Sequence, residues 1–363
     1  MSKMDFLKTF EKDLDKLDVQ VGSGEPPRYW YTTSNVTLNR IISGSFFKGI
    51  PQGRVTGLVG PSGAGKSFLA SNLMASAQKE GAHVLVIDTE NALDENFVAA
   101  IGVDITDNYT YVAASTIPQV TKIVSSFIKG YKAEYGDDDP DAPQVLIVID
   151  SLDMLMTETE VEHFAKGNTK GDQGQRNKQL KAMLRTFVQT IKRLNVSMVV
   201  TDAVYRNQDI RNGEGAWVVK DAIRYSLSQV ILLTKLKLKD TGATEVKGIR
   251  MKCEGYKTRF AKPFQKVTIE VPYDEGMDPY SGLVEVAQEL DIVKKKGSRY
   301  VIAGEDTSWY EKDIAERADD ILAKAEAMSE AFLLGTGVAS EEEGPEDERS
   351  SRARRQAKVD GEK

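Results

Sequence analysis

Cysteine and histidine are nearly missing from this 363-residue chain, which has one cysteine, Cys253, and two histidines, His83 and His163. One thiol cannot build a disulfide framework, and so few soft ligands leave little material for a Cys/His metal centre. A reducing, cytoplasmic setting is expected. Missing too is any apolar run long enough to span a bilayer, so no membrane role is expected. The opening segment MSKMDFLKTFEKDL lacks the apolar core and cleavage site of a signal peptide, and its spacing predicts an amphipathic helix. What remains, 40% hydrophobic and 28% charged residues, is ordinary for a globular protein. The length suits one large α/β core with a smaller appended domain.

The net charge of −7 argues by itself against nucleic acid, but its distribution is uneven. Between His163 and Arg185 six bases (Lys166, Lys170, Arg176, Lys178, Lys181, Arg185) face one acid, Asp172, and between Lys235 and Lys266 ten bases face three acids. The compensating acids gather at Asp137–Asp141 and in the tail Glu341–Glu348.

Short apolar runs alternate with helix-like stretches from Arg54 to about Pro272, the pattern of a mainly parallel sheet flanked by helices. The strands are expected at 54–60, 83–88, 109–114, 144–150, 196–202, 229–238, 246–254 and 266–271. The last three follow one another without helices, so that part is expected to be antiparallel. Four regions result: an N-terminal oligomerisation helix and linker at 1–30, a core at 31–277, a small α/β domain at 278–337 and a charged tail at 338–363. In the small domain a helix is expected in PYSGLVEVAQEL, a strand in KKGSRYVI and a long helix from Trp309 to about Leu334. The tail has almost no apolar content, and disorder is expected there.

Gly60-Pro61-Ser62-Gly63-Ala64-Gly65-Lys66-Ser67 fits G-x-x-x-x-G-K-[ST] completely, after an apolar strand and before a helix-like run beginning at Phe68. Such a loop turns successive N–H groups and a helix N-terminus toward phosphates, with Lys66 on the outer phosphates and the Ser67 hydroxyl on Mg2+. ATP with Mg2+ is therefore the expected ligand. QVLIVID ends a second apolar strand in Asp150, either the second magnesium acid or a cap of the next helix. A third strand ends in VIDTENALD, with Asp88 and Glu90 at the carboxyl edge of the sheet. Glu90 is the candidate general base, expected beside the γ-phosphate through adjacency of its strand to the phosphate-loop strand; the alternative is a solvated loop acid.

Two loops are rich in bases. The first, Glu158 to about Asn177, is expected to be long and structureless, and contains Lys166, Lys170 and Arg176, with Lys178 just beyond it. The second, Val204 to Arg224, interleaves Arg206, Arg211 and Lys220 with Tyr205 and Trp217, a mixture suited to backbone neutralisation and base stacking. The alternative for each is a solvated surface loop.

In order along the chain, TTSNVTLNRIISGSFFKGIPQGRVTGLVGPSGAGKS, VIDTENALDENF, VLIVIDS, YKTRFAKPF and EGMDPYSGLVEVAQEL resemble the RecA recombinases, and within them the phage UvsX group. The resemblance spans roughly residues 30 to 310. It implies that Glu90 is the catalytic glutamate, that Phe97, with Asp94 nearby, stacks on adenine, and that Lys257 and Arg259 reach a neighbouring subunit's γ-phosphate. It also implies a helical homo-oligomeric filament on single-stranded DNA that engages duplex DNA, with a mediator, single-strand-binding protein or helicase as partners, in the host cytoplasm if the chain is phage-encoded. Phe97 could equally be a core residue of its helix.

The family's polar γ-phosphate sensor falls here on Ala203, which cannot hydrogen-bond, and the glycine triplet of the second loop is replaced by Trp217-Val-Val-Lys-Asp221. The expected function is an ATP-dependent recombinase, a DNA-dependent ATPase acting in strand exchange, repair and recombination-dependent replication. The alternative is an ATP-switched single-strand-binding or mediator filament that hydrolyses little. A helicase motor fits less well, because no accessory helicase domain is recognisable.

Overall fold

The computed structural model describes residue 10 and residues 26–168, 174–206, 217–239, 244–310, 313–314 and 316–333, with side chains to residue 328. Most of the expected N-terminal helix and the whole tail 338–363 lie outside the described residues, as do Lys170 and Arg211.

The chain forms two compact units, the first ending at Val286 and the second starting at Ala287. The core was expected to end at residue 277. However, Asn35 Nδ2 donates to the carbonyls of Asp278 and Ser281, both at 3.0 Å, which ties this stretch to the first unit.

In the first unit the elements run β1 (Trp30–Tyr31), α1 (Val36–Ser43), β2 (Ile50–Pro51), β3 (Val55–Val59), α2 (Lys66–Lys79), β4 (His83–Asp88), α3 (Glu95–Ile101), β5 (Tyr109–Ala113), α4 (Ile117–Tyr135) and β6 (Val145–Asp150). They continue with α5 (Glu158–Ala165), α6 (Gln175–Thr190), β7 (Val196–Asp202), β8 (Tyr205–Arg206), β9 (Trp217–Val218), α7 (Asp221–Ser226), β10 (Gln229–Leu238), β11 (Gly248–Lys257) and β12 (Lys266–Pro272).

All eight expected strands pair in one sheet, ordered β12-β11-β10-β3-β7-β6-β4-β5. The six strands from β10 to β5 are parallel, while β11 and β12 run antiparallel to their neighbours. Strands β3, β6 and β7 are buried along their whole length, which is why VTGLV, VLIVID and VSMVVTD read as continuous runs rather than alternating ones. Each buried Val, Leu or Ile there contributes about 1.5–3 kcal/mol. Helix α4 opens with a capping box, Thr116 and Gln119, and buries Ile117, Val120, Val124, Ile128 and Tyr131 along one face.

Two expectations are corrected. Strand β4 is not next to the phosphate-loop strand β3, because β7 and β6 lie between them. The first loop is not a long structureless segment either: Glu158–Ala165 is helical, opened by a capping box of Thr157 and Glu160, and α6 begins at Gln175.

The second unit contains an antiparallel sheet of β13 (Val293–Lys296), β14 (Arg299–Ile302) and β15 (Ser308–Trp309), followed by a helix, Ala318–Leu333. The short helix Leu283–Glu289 crosses the boundary between the units. Trp309 was expected to start the long helix. It pairs instead with Tyr300, and the Arg317 guanidinium lies 4.7 Å from its ring centre.

Candidate nucleotide site and nucleic-acid face

Parallel strands bring their carboxyl ends to one edge, where β3, β7, β6 and β4 deliver the phosphate loop, Asp202, Asp150 and Asp88. Gly65 has φ +96 as the N-cap of α2, a conformation L side chains rarely adopt. A Cβ on Gly60 would lie 2.4 Å from the Leu233 carbonyl oxygen, so the loop must be glycine there to sit against β10. Pro61 is half-buried, Ser62 and Gly63 are exposed and Ala64 is buried, while Lys66, Ser67 and Phe68 are half-buried. Lys66 Nζ donates to the Gly60 and Pro61 carbonyls at 3.0 and 3.1 Å. Burial pulls its ammonium below the ordinary lysine range, against the opposing influence of Asp150, Glu90, Asp202 and Asp153.

Asp150 is buried at the end of β6 and accepts from the Thr201 hydroxyl. No helix-capping hydrogen bond to it is present among the described residues, while the 3₁₀ turn Leu152–Met154 follows directly. Glu90 reaches this edge through β6: Ser151 Oγ donates to Glu90 Oε1 at 2.7 Å. The turn that carries Glu90 is built by Asp88. Its two oxygens accept the backbone N–H groups of Glu90, Asn91, Ala92 and Leu93 at 2.9–3.0 Å, and Tyr111 Oη at 3.0 Å. Sequence reasoning put Asp88 at the edge but not in this structural role; an Asp followed by a non-repetitive turn was the available signal.

Asp94 caps α3, accepting from Asn96 and Phe97 N–H at 2.7 and 3.2 Å. Phe97 is 43% exposed, so it is not a core residue. The donor set suits a magnesium triphosphate: a glycine loop leading into a helix N-terminus, one lysine, one hydroxyl and one buried carboxylate. Among the described residues no cluster of three or more His, Cys, Asp or Glu could hold a metal.

Lys257 and Arg259 lie at the other edge of the sheet. Lys257, at the end of β11, pairs with Val230 near the start of β10 and donates from Nζ to the Arg224 carbonyl at 2.7 Å. Arg259 shares a cavity of about 780 Å³ with Gly53 and Arg54, which precede β3, and with Lys181, Arg185 and Lys192. The lining contains no carboxylate. Burial and the nearby Arg259 both hold Lys257 and Arg54 below their ordinary ranges.

The expected nucleic-acid residues separate into two groups. Lys166, Lys178, Tyr205 and Arg206 are exposed. A cleft of about 430 Å³ joins Lys178, Tyr205 and Val218 to Asn177, the last residue of the first basic loop, and to Lys181, which the sequence reading did not place in the site. Trp217, by contrast, packs partly against the core. Lys220 was expected to face DNA but is buried: its Nζ donates to Asp202 Oδ1 at 2.8 Å and also to Asp153 Oδ1. Burial alone would lower its pKa, but the two carboxylates outweigh that and hold it above the lysine range. Arg176 also turns inward, donating to the carbonyls of Leu155 at 2.7 Å, Leu152 at 3.1 Å and Asp153. Neither presents a free cation to a phosphate backbone.

Sheet order and phosphate loop together define a P-loop nucleotide-binding protein of the mainly parallel α/β class. The RecA N-terminal domain profile matches residues 29–278, more than half of the chain, and the protein therefore belongs to the RecA family. It is 27% identical over 313 residues to Protein RecA of Clostridioides difficile, covering 81% of this chain and 82% of that protein. It is 27% identical over 357 residues to Protein RecA of Thermus aquaticus, covering 93% and 96%. For Protein RecA of Lactobacillus johnsonii the identity is 26% over 365 residues, covering 95% of each.

Proposed function

We propose that this chain is an ATP-dependent recombinase of the phage UvsX kind, forming helical filaments on single-stranded DNA and promoting homologous pairing and strand exchange in phage recombination, repair and recombination-dependent replication. The observation that carries the reading is the separation of the phosphate loop and a second, cationic set across one sheet. The phosphate loop follows the end of β3, whereas Arg259 lines a cavity with Gly53 and Arg54 before its start. Five strand residues at roughly 3.3 Å each keep the two sets apart. A nucleotide held by Lys66 therefore meets Lys257 and Arg259 only from another copy, and such a head-to-tail contact propagates as a helical filament wherever its rotation does not close into a ring.

In this reading Gly60 to Ser67 hold the phosphates, Ser67 and Asp150 would hold a magnesium ion that neutralises phosphate charge, and Phe97 lies against the adenine. Glu90, oriented by Ser151, positions the attacking water and accepts its proton, while the neighbour's Lys257 and Arg259 stabilise charge on the γ-phosphate. Lys166, Lys178, Lys181 and Arg206 neutralise the DNA backbone, with Tyr205 available for stacking.

Mixing two inactive variants tests the arrangement. Glu90→Gln lacks the base and Lys257→Ala the trans cation, yet a random co-filament contains about one quarter of interfaces in which an intact Glu90 faces an intact Lys257. DNA-stimulated turnover should return to that order; a mixture as inactive as its parents would sink the trans arrangement.

Ala203 favours a second reading, an ATP-switched single-strand-binding or mediator filament with little hydrolysis, since the strand before the second loop ends without a polar group at that position. ATP turnover with and without single-stranded DNA separates the two.

A further inference from the structure

Arg176 and Lys220 stand at the far ends of the two basic loops, 44 positions apart, yet both side chains converge on the turn Leu152–Met154. Arg176 binds three carbonyls there and has Asp153 Oδ1 at 4.0 Å, while Lys220 binds the Asp153 carboxylate directly. That turn begins two residues after Asp150. On the other side Lys220 holds Asp202, whose carbonyl accepts the N–H of Gly60, first residue of the phosphate loop, at 3.2 Å. The neighbouring Thr201 hydroxyl donates to Asp150. Both loops and both halves of the nucleotide site are thus tied to one small set of charges.

We propose that Asp153, held between Lys220 and Arg176, is the positioning residue that couples the occupancy of the nucleotide site to the two nucleic-acid loops. The proposal rests on the recombinase reading. A buried ion pair is a poor source of net stability, because desolvation offsets most of the attraction, but it is demanding about geometry. Lys220 has 5% of its side chain exposed and Asp202 has 2%, so neither can be resolvated in place if the other moves. A shift of the turn after Asp150 must move the Asp153 carboxylate, and with it the last residue before α7 and the first turn of α6. The Ala203 side chain offers no polar atom for this purpose; the side-chain connection runs one residue earlier, through Asp202, and then by way of Lys220 to Asp153. Coupling is reciprocal: a loop fixed by nucleic acid holds Asp153, and through the same turn biases Asp150.

The test uses the full chain, a fluorescent oligothymidylate and a non-hydrolysable ATP analogue, and reads the ratio of oligonucleotide affinities with and without the analogue. In the unmodified protein the ratio should exceed about 5-fold, within the usual range for coupled sites. Asp153→Ala and Lys220→Met should bring it close to 1, while Lys220→Arg, which can still bridge two carboxylates, should restore most of it. A ratio kept by Asp153→Ala overturns the proposal and leaves the recombinase reading standing. An unmodified protein that fails to bind the oligonucleotide, or binds it equally in both states, sinks that reading and this proposal with it. Should the variants not fold, hydrogen exchange on the unmodified chain decides: the analogue alone should change exchange at residues 152–155 and 220–224 together, and no change at either overturns the coupling.

Discussion

The Ser151 hydroxyl donates to Glu90 Oε1 at 2.7 Å and so joins the end of β6 to the turn after β4. Ser151 N–H in turn donates to Thr89 Oγ1 at 2.9 Å, so the hydroxyl and the glutamate are fixed by adjoining contacts between the same two strands. A carboxylate that must orient a water loses much of its effect if its own direction is free. Ser151→Ala should therefore lower turnover about 10-fold with little change in the nucleotide concentration for half-saturation, a loss confined to the chemical step. Glu90→Gln should cost at least about 100-fold, the usual scale for a general base. Steady-state kinetics on both variants check this; a Ser151→Ala defect confined to half-saturation would contradict the positioning role.

The gathering of candidate residues at one edge was legible from residue types: a glycine loop, a strand-terminal aspartate and the glutamate two residues beyond another strand. The order of the strands was not, because β4, β6 and β7 are all apolar and nothing local says which of them flanks β3. Glu90 reaches the site although its strand is three places away, since β6 hands the contact across. Lys220 and Arg176 were misread for a different reason. Charge counted along a chain carries no information on burial, and their shared partner Asp153 lies 67 positions from Lys220 and 23 from Arg176. The helix at Glu158 had a signal, the T-x-x-E capping box, which the local basicity obscured.

The proposed contact of Phe97 with adenine can be tested by separating base recognition from phosphate recognition. The ring is 43% exposed on α3, so truncation leaves no cavity, and Phe97→Ala should keep thermal stability within about 0.5 kcal/mol of the parent. ATP affinity should fall several-fold, while affinity for inorganic triphosphate stays unchanged. Equilibrium binding of both ligands decides the point, and equal losses for both would remove Phe97 from the adenine site.

Lys178 and Lys181 flank the cleft beside Tyr205. Alanine at either should weaken binding to single strands of any sequence and reduce the slope of log affinity against log salt by about 0.7 for each phosphate no longer neutralised. Arg176→Ala should behave differently. It removes three inward hydrogen bonds, so the loss should appear in the melting temperature as well as in binding, and its salt slope should stay near that of the parent.

Cys253 is fully buried, and burial pushes its thiol well above the ordinary range. The thiolate is the reactive form, so the folded chain should resist a thiol-specific reagent at neutral pH and react with one equivalent once unfolded in urea. Rapid labelling of the folded protein would show that β11 opens locally.

Lys220 and Asp202 allow a stability prediction with a pH sign. Removing one partner of a buried pair strands the other charge, so Lys220→Met should lose about 3–5 kcal/mol, and Lys220→Met with Asp202→Asn should recover most of it. Burial raises the Asp202 pKa in the folded state, and Lys220 opposes the rise, so deleting the lysine lets the rise grow. A carboxyl whose folded pKa lies above its unfolded value favours folding when protonated. That contribution is complete below the unfolded pKa and is lost as pH rises through the folded one. The stability deficit of Lys220→Met relative to the parent should therefore shrink as pH is lowered from neutrality toward the ordinary carboxylate range. Urea titrations of parent, single and double variants at two pH values measure it. A deficit that grows on acidification would mean that Asp202 is not the stranded charge.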